Sequence, residues 1–134
     1  MSGADPLATT PPAARLLGRR VVRADRDRGA VELEFDATPR FLNRHGQVQG
    51  GMLAAMLDST VGCAAVAGLA GKSVVTLTIN VTYLRPAAAG RIRASGRIVH
   101  RGRVIAFAEA ELRDPGGEVV ASAVATLRIV TARS

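Results

Sequence analysis

The segment MLAAMLDSTVGCAAVAGLAG, residues 52–71, is followed one lysine later by SVVTLTINVTYL, residues 73–84. The first segment is long enough for about five helical turns and is apolar on nearly every face, with Gly68 and Gly71 as stops. Such a helix is expected to be wrapped by other structure. A membrane span competes with that reading, but Asp58 sits inside the segment, small residues dominate it, and strand-patterned sequence resumes at once. In the second segment Val75, Leu77, Ile79, Val81 and Tyr83 alternate with Thr76, Thr78, Asn80 and Thr82, the period of a strand with one face on the helix.

Working outward, three further strands are expected near residues 91–100, 103–113 and 118–130, divided by the turn signals PAAAG, HRGR and DPGG. Short connections predict antiparallel pairing of neighbours, hence a meander of the four strands that follow the helix. Upstream, RRVVRADRDRGAVELEF (residues 19–35) alternates on either side of DRDRGA and predicts a hairpin. ATPRFLNRHGQVQ (residues 37–49) has no period and reads as a loop leading to Gly50 and Gly51. MSGADPLATTPPAA (residues 1–14), rich in proline, reads as a flexible arm of little functional weight ahead of one domain, residues 15–134. The element order predicts an α+β fold of the hotdog type, an antiparallel sheet of about five to six strands wrapped around one long central helix. An α+β sandwich with the helix outside is the structural alternative.

Composition narrows the function. A hydrophobic share of 48% leaves enough apolar surface for a core without disulfides or metals. No Cys/His group has metal-ligand spacing, so no metal is expected. The single Cys63 has no partner for a bridge, and the arm has no apolar stretch of the secretory kind, so the expected compartment is the cytoplasm. The formal charge of +7 suits an anionic ligand. With no Trp and one Tyr, however, the chain has few stacking platforms for bases, so nucleic acid is not expected as a partner; nor is a membrane, given Asp58 and the small residues inside the one long apolar segment.

Asp58 is the one charged residue between Gly46 and Gly71. A carboxylate in so apolar a segment either takes a functional role with a perturbed pKa or hydrogen-bonds neighbouring backbone. Gly50 and Gly51 open the helix, where unpaired N–H groups and the dipole make an oxyanion hole; an ordinary glycine loop is the alternative. Eight residues of helix place Gly50 and Asp58 roughly 12 Å apart. If both serve one carbonyl, a two-fold related chain supplies one of them.

The pattern Asn43-x-x-Gly46-x-x-Gln49-Gly50-Gly51, then Asp58, then Thr76-Leu77-Thr78-Ile79-Asn80-Val81-Thr82-Tyr83-Leu84-Arg85-Pro86-Ala87, then Arg101-Gly102-Arg103, resembles the PaaI-type acyl-CoA thioesterases of the hotdog superfamily, from about Phe41 to Val130. The resemblance implies hydrolysis of an acyl-CoA or related thioester by a homodimer or tetramer, with no cofactor beyond the CoA of the substrate. It implies that Asn43 and the Gly50 amide hold the thioester carbonyl. Asp58 of the other subunit then activates water or attacks directly, and Thr76 helps to place the water. Tyr83, Arg85, Arg101, Gly102 and Arg103 fall among the substrate- and CoA-binding positions. The family usually has His where this chain has Gln49, which can hydrogen-bond but cannot titrate. A thiol of pKa about 8.5 still leaves as thiolate.

Arg91, Arg93, Arg97, Arg101 and Arg103 share parity, so in one strand they would project opposite Ile92, Ala94 and Ile98, as a solvated face or as guanidinium groups for phosphate. His45 is a lone loop histidine and Cys63 a small core residue with no base at suggestive spacing. Two other functions fit the residues less well: a silent acyl-CoA binding module, and hotdog hydratase chemistry, which pairs His with a carboxylate and finds no His on this helix or in its glycine loop.

Overall fold

The computed structural model describes residues 5–70 and 72–131. The first four residues of the expected arm, and Gly71 as a helix stop, lie outside the described residues. A 3-10 turn at Pro6–Ala8 and helix α1 (Pro12–Leu16) precede strands β1 (Arg20–Asp25) and β2 (Ala30–Ala37). Helix α2 (Gly50–Gly68) follows, then β3 (Lys72–Tyr83), β4 (Gly90–Arg101), β5 (Ile105–Arg113) and β6 (Val119–Thr131). Residues 5–17 do not merely trail: Leu7, Ala14 and Leu17 are buried, and Asp5 Oδ1 accepts from the Leu7 amide at 3.0 Å.

All six strands form one antiparallel sheet in the order β1-β2-β4-β5-β6-β3. The expected hairpin β1–β2 is present. The expected four-strand meander is not: β4, β5 and β6 are consecutive, but β3 pairs with β6 at the edge and β4 returns to β2. The crossing from β3 to β4 spans three strand spacings, roughly 14 Å. Residues 84–89 cover it, since they reach roughly 20 Å when extended. That connection is anchored rather than turned back: Leu84 N donates to Val120 O at 2.9 Å, and Val48 N to the carbonyl of buried Ala87 at 2.8 Å.

The sheet curls around α2, the hotdog arrangement. Met56, Leu57, Thr60 and Val61 of the helix are fully buried against Leu33, Phe35, Ile92, Leu112 and Leu127. Small residues at Ala106, Ala108, Ala123 and Ala125 let the helix approach the sheet closely. Gly96 is required for the same reason, since a Cβ there would stand 2.7 Å from Thr60 Cγ2. By length and composition α2 would cross a membrane, but its apolar side is the core of this domain. The helix is not wrapped on every side, as its sequence suggests: Gly51, Ala55 and Asp58 are exposed.

Two β-bulges decide which side chains face the helix. In β3 the register with β6 shifts between Thr76 and Thr78, and in β4 the register with β5 shifts between Ile98 and His100. Each inserts one extra residue and reverses the alternation beyond it. The even alternation expected through residues 75–83 is therefore broken. Val74 and Thr76 lie opposite buried-side residues Ile129 and Leu127, whereas Val75 and Leu77 are 54% and 52% exposed.

Candidate active site

Asp58 occupies the bare side of α2. Its sequence context suggested burial; the structure exposes it, because the apolar residues around it turn to the sheet and only small ones share its side. Thr76 reaches it from β3, donating from Oγ1 to Asp58 Oδ1 at 2.8 Å. The bulge makes this contact. In the unbroken alternation Thr76 would point away from the helix with Thr78 and Asn80.

At the other end of the site, Gln49 enters the helix with an extended backbone (φ −58°, ψ 134°) and makes no side-chain cap. Its carbonyl accepts from Met52 N at 2.9 Å and Leu53 N at 3.3 Å. The Gly50 and Gly51 amides have no partner among the described residues, so two donors stand open at the positive end of the helix. Asn43 organises the loop before it. Its Oδ1 accepts from His45 N (2.9 Å) and Gln47 N (3.2 Å), and Gly46 takes the left-handed φ of +74° that the turn requires. The Asn43 Nδ2 group has no partner among the described residues. Tyr83, at the end of β3, donates from its hydroxyl to Gly50 O at 2.8 Å.

Asn43, Gly50 and Tyr83 thus cluster at the start of α2, and Asp58 with Thr76 two turns further on. One unbroken helix holds both groups, so their separation along it is the roughly 12 Å expected from spacing.

The arginines divide. Arg97 pairs with Glu109 at 2.7 Å and Arg91 approaches Glu34 at 4.0 Å, which matches a solvated, ion-paired outer face. Arg101 does not share it. The β4 bulge sets Arg101 opposite fully buried Ala106, and Nη2 donates to Asp27 O at 3.1 Å where Gly29 and Gly68 meet. Gly102 closes the following turn, its N donating to Ile105 O at 2.8 Å, and a Cβ there would stand 2.6 Å from that oxygen. Arg103 lies exposed in this turn outside any strand, with no partner among the described residues. Arg85 lies 3.5 Å from Glu118 on the β3–β4 crossing. Cys63 is buried, and burial pushes its thiol pKa up, only partly opposed by the Arg19 charge, which leaves it a core residue.

Residues 45–121 match the model of the thioesterase superfamily. The chain belongs to that superfamily. A phenylacetic acid degradation-related protein of Ralstonia eutropha JMP134 is 42% identical, with a TM-score of 0.86 over 90% of this chain and 92% of that one. A Mycobacterium tuberculosis H37Rv protein that bears the provisional name esterase is 30% identical over 132 residues, 96% of this chain and 93% of its own. A Streptococcus mutans protein bound to acetyl-CoA shares the fold at 24% identity, with a TM-score of 0.79 over 87% of this chain and 91% of that one. The PaaI-type resemblance in the sequence is therefore matched, and this chain is a thioester hydrolase.

In this thioesterase a cleft of about 690 Å³ lies far from Asp58, on the outer face of the sheet among Arg23, Glu32, Ser95, Arg97, Glu109 and Ser122. Asp58, Thr76, Asn43 and the Gly50 and Gly51 amides sit instead along an open surface. One contact beside them gave no signal in the sequence: half-buried Arg19 donates to the hydroxyl of Ser59, next to Asp58, at 3.0 Å and to Thr9 O at 3.3 Å. Forty residues separate Arg19 from Ser59, and no periodicity reports a pairing at that distance.

Proposed function

We propose that this thioesterase hydrolyses an acyl-CoA to the free acid and CoA at a site shared by two copies of the chain. The observation that carries the reading is the Thr76–Asp58 hydrogen bond on the bare side of α2, held away from the open amides at the start of the same helix. A shared site needs a two-fold contact, and the outer edge of β3 supplies a surface for one. Among the described residues β3 ends the sheet with one long side unpaired, an arrangement that invites strand addition. Antiparallel pairing with a second β3 centred on Asn80 sets Ile79 opposite Val81 of the partner subunit, residues of the same face, and past the extra residue at Leu77 it sets Thr76 opposite Tyr83 of the partner subunit. Thr76 carries Asp58 and Tyr83 carries Gly50 within each chain, so Asp58 of one copy comes to face Gly50 and Asn43 of the other.

In such a site the Gly50 N–H and Asn43 Nδ2 donate to the thioester carbonyl oxygen, and more strongly to the oxyanion that forms there. Asp58, oriented by Thr76, takes a proton from water as the water oxygen bonds to the carbonyl carbon. Collapse breaks the C–S bond, and CoA departs as a thiolate that needs no proton from Gln49. Direct attack by Asp58, giving an anhydride that water then opens, uses the same geometry. Arg103, exposed and with no partner among the described residues, is the guanidinium that meets a CoA phosphate, while Arg101 is held by the β1–β2 turn. The fold holds acetyl-CoA in the Streptococcus mutans protein, which supports this substrate class. The test is thiol release across short, long, aromatic and hydroxylated acyl-CoAs. Binding of acyl-CoA without thiol release from any of them would sink the proposal.

A further inference from the structure

Tyr83 is the only tyrosine of the chain, and it is spent on a backbone carbonyl. Its ring packs on Gly50 so closely that a Cβ at Gly50 would stand 3.1 Å from Cζ and 3.3 Å from both Cε1 and the hydroxyl. Glycine at position 50 and tyrosine at position 83 therefore fit each other. A carbonyl oxygen and the amide of the next residue belong to one rigid plane, so a hydroxyl bound to Gly50 O fixes the direction of the Gly51 N–H. Donation to the oxygen also polarises the unit and strengthens that N–H as a donor. The Met52 and Leu53 amides are occupied by Gln49 O, whereas the Gly51 amide has no partner among the described residues.

We infer that Tyr83 is a positioning residue for the carbonyl-holding end of the site. It fixes the Gly50–Gly51 peptide so that the Gly51 N–H stands beside the Gly50 N–H toward the same oxyanion, and it does not act by touching substrate. The inference rests on the shared-site reading above, and it changes the role that the sequence resemblance implies for this side chain, from ligand contact to support of the backbone.

Tyr83→Phe keeps the ring against Gly50 and removes only the hydroxyl. Loosening one preorganised donor is expected to lower kcat about tenfold while KM stays within about twofold. In the ligand-free ¹⁵N-labelled protein the Gly51 amide resonance should shift and its hydrogen exchange quicken, with amides of the central strands unchanged. A raised KM with kcat kept would make Tyr83 a ligand contact and overturn the inference, as would an unchanged kcat. If the wild-type protein releases no thiol from any acyl-CoA, the reading of the site fails by itself. The Gly51 amide then decides alone: identical exchange in Tyr83→Phe and wild type overturns the positioning role. A thermal melt confirms that Tyr83→Phe is folded, and Gly50→Ala, which crowds the ring from the other side, should lower kcat in the same way.

Discussion

Two inactive variants should restore each other if the carbonyl-holding and water-activating groups come from different chains. The structure dictates which substitutions to use. Asn43→Ala would remove the Oδ1 that accepts from His45 N and Gln47 N and so unravel the loop. Asn43→Asp keeps both acceptor contacts and removes only the Nδ2 donor, leaving a negative charge where the oxyanion must form. Asp58→Asn keeps the acceptor for Thr76 Oγ1 and removes the base. Each alone should lower kcat by about 10² to 10⁴-fold. In a mixed dimer one site collects both lesions and the other collects none. Random pairing of equal amounts makes about half of the dimers mixed, each with one intact site of two, so about a quarter of wild-type thiol release should return. The assay is thiol release after co-refolding, with mixed dimers counted by native mass spectrometry. Abundant mixed dimers with activity no higher than the parents would refute the shared site, and Asp58 would then have to act within its own chain.

Other outcomes follow from single contacts. Asp58→Asn should leave KM within about twofold while kcat falls, and a loss under about fivefold in folded protein would remove Asp58 from the chemistry. Arg103→Ala should raise KM for acyl-CoA and flatten its dependence on salt, whereas Arg101→Ala, which frees the Asp27 carbonyl, should lower the melting temperature by roughly 4 °C; the opposite pattern would exchange the two roles. Gly96→Ala should destabilise by about 1–3 kcal/mol through its clash with Thr60 Cγ2, and adding Thr60→Ser, which removes that methyl, should recover much of the loss in a denaturant melt. The Leu7 amide and Arg26 hold the Asp5 carboxyl below its usual pKa of 3.8. Because the folded value is depressed, its contribution to docking residues 5–9 is full above that pH and is lost as acid is added through the lowered value. Asp5→Asn should therefore weaken this segment's protection from proteolysis at pH 7 but add nothing to the effect of strong acid.

The elements were legible because each carries its own period. An apolar run with no strand alternation and glycines at its end gave α2, and turn residues at DRDRGA, HRGR and DPGG divided the strands nearly where they divide in the structure. Pairing was less legible. That β3 lies on β6 is fixed by the backbone register of eleven residue pairs with a strand some fifty residues away, and the sequence between them names no partner. The bulges were invisible for the same reason. An extra residue at Leu77 or Val99 changes nothing in the local pattern, yet it turns Thr76 to Asp58 and Arg101 away from the arginines of the outer face. The loop glycines and Asn43 were legible as a cluster, but not that Asn43 spends its oxygen on the loop and leaves its amide nitrogen without a partner among the described residues.

Asp58 is where sequence and structure differ most usefully. A lone acid in an apolar helix reads as buried if the helix is covered all round, and the sequence is apolar enough to suggest that. In a single chain the sheet covers only the side bearing Met56, Leu57 and Val61, and small residues such as Gly51 and Ala55 share the open side with Asp58. The neighbouring strand is also incomplete: β3 ends the sheet, and Val75, Leu77, Tyr83 and Leu84 are each more than half exposed along it. Apolar surface in that quantity beside an unpaired strand edge is costly for a lone chain to leave in water. A second copy on this edge would cover both surfaces at once and take the Asp58 carboxylate out of bulk solvent. The apolar setting read from the sequence would then be that of the assembled site rather than of the single chain.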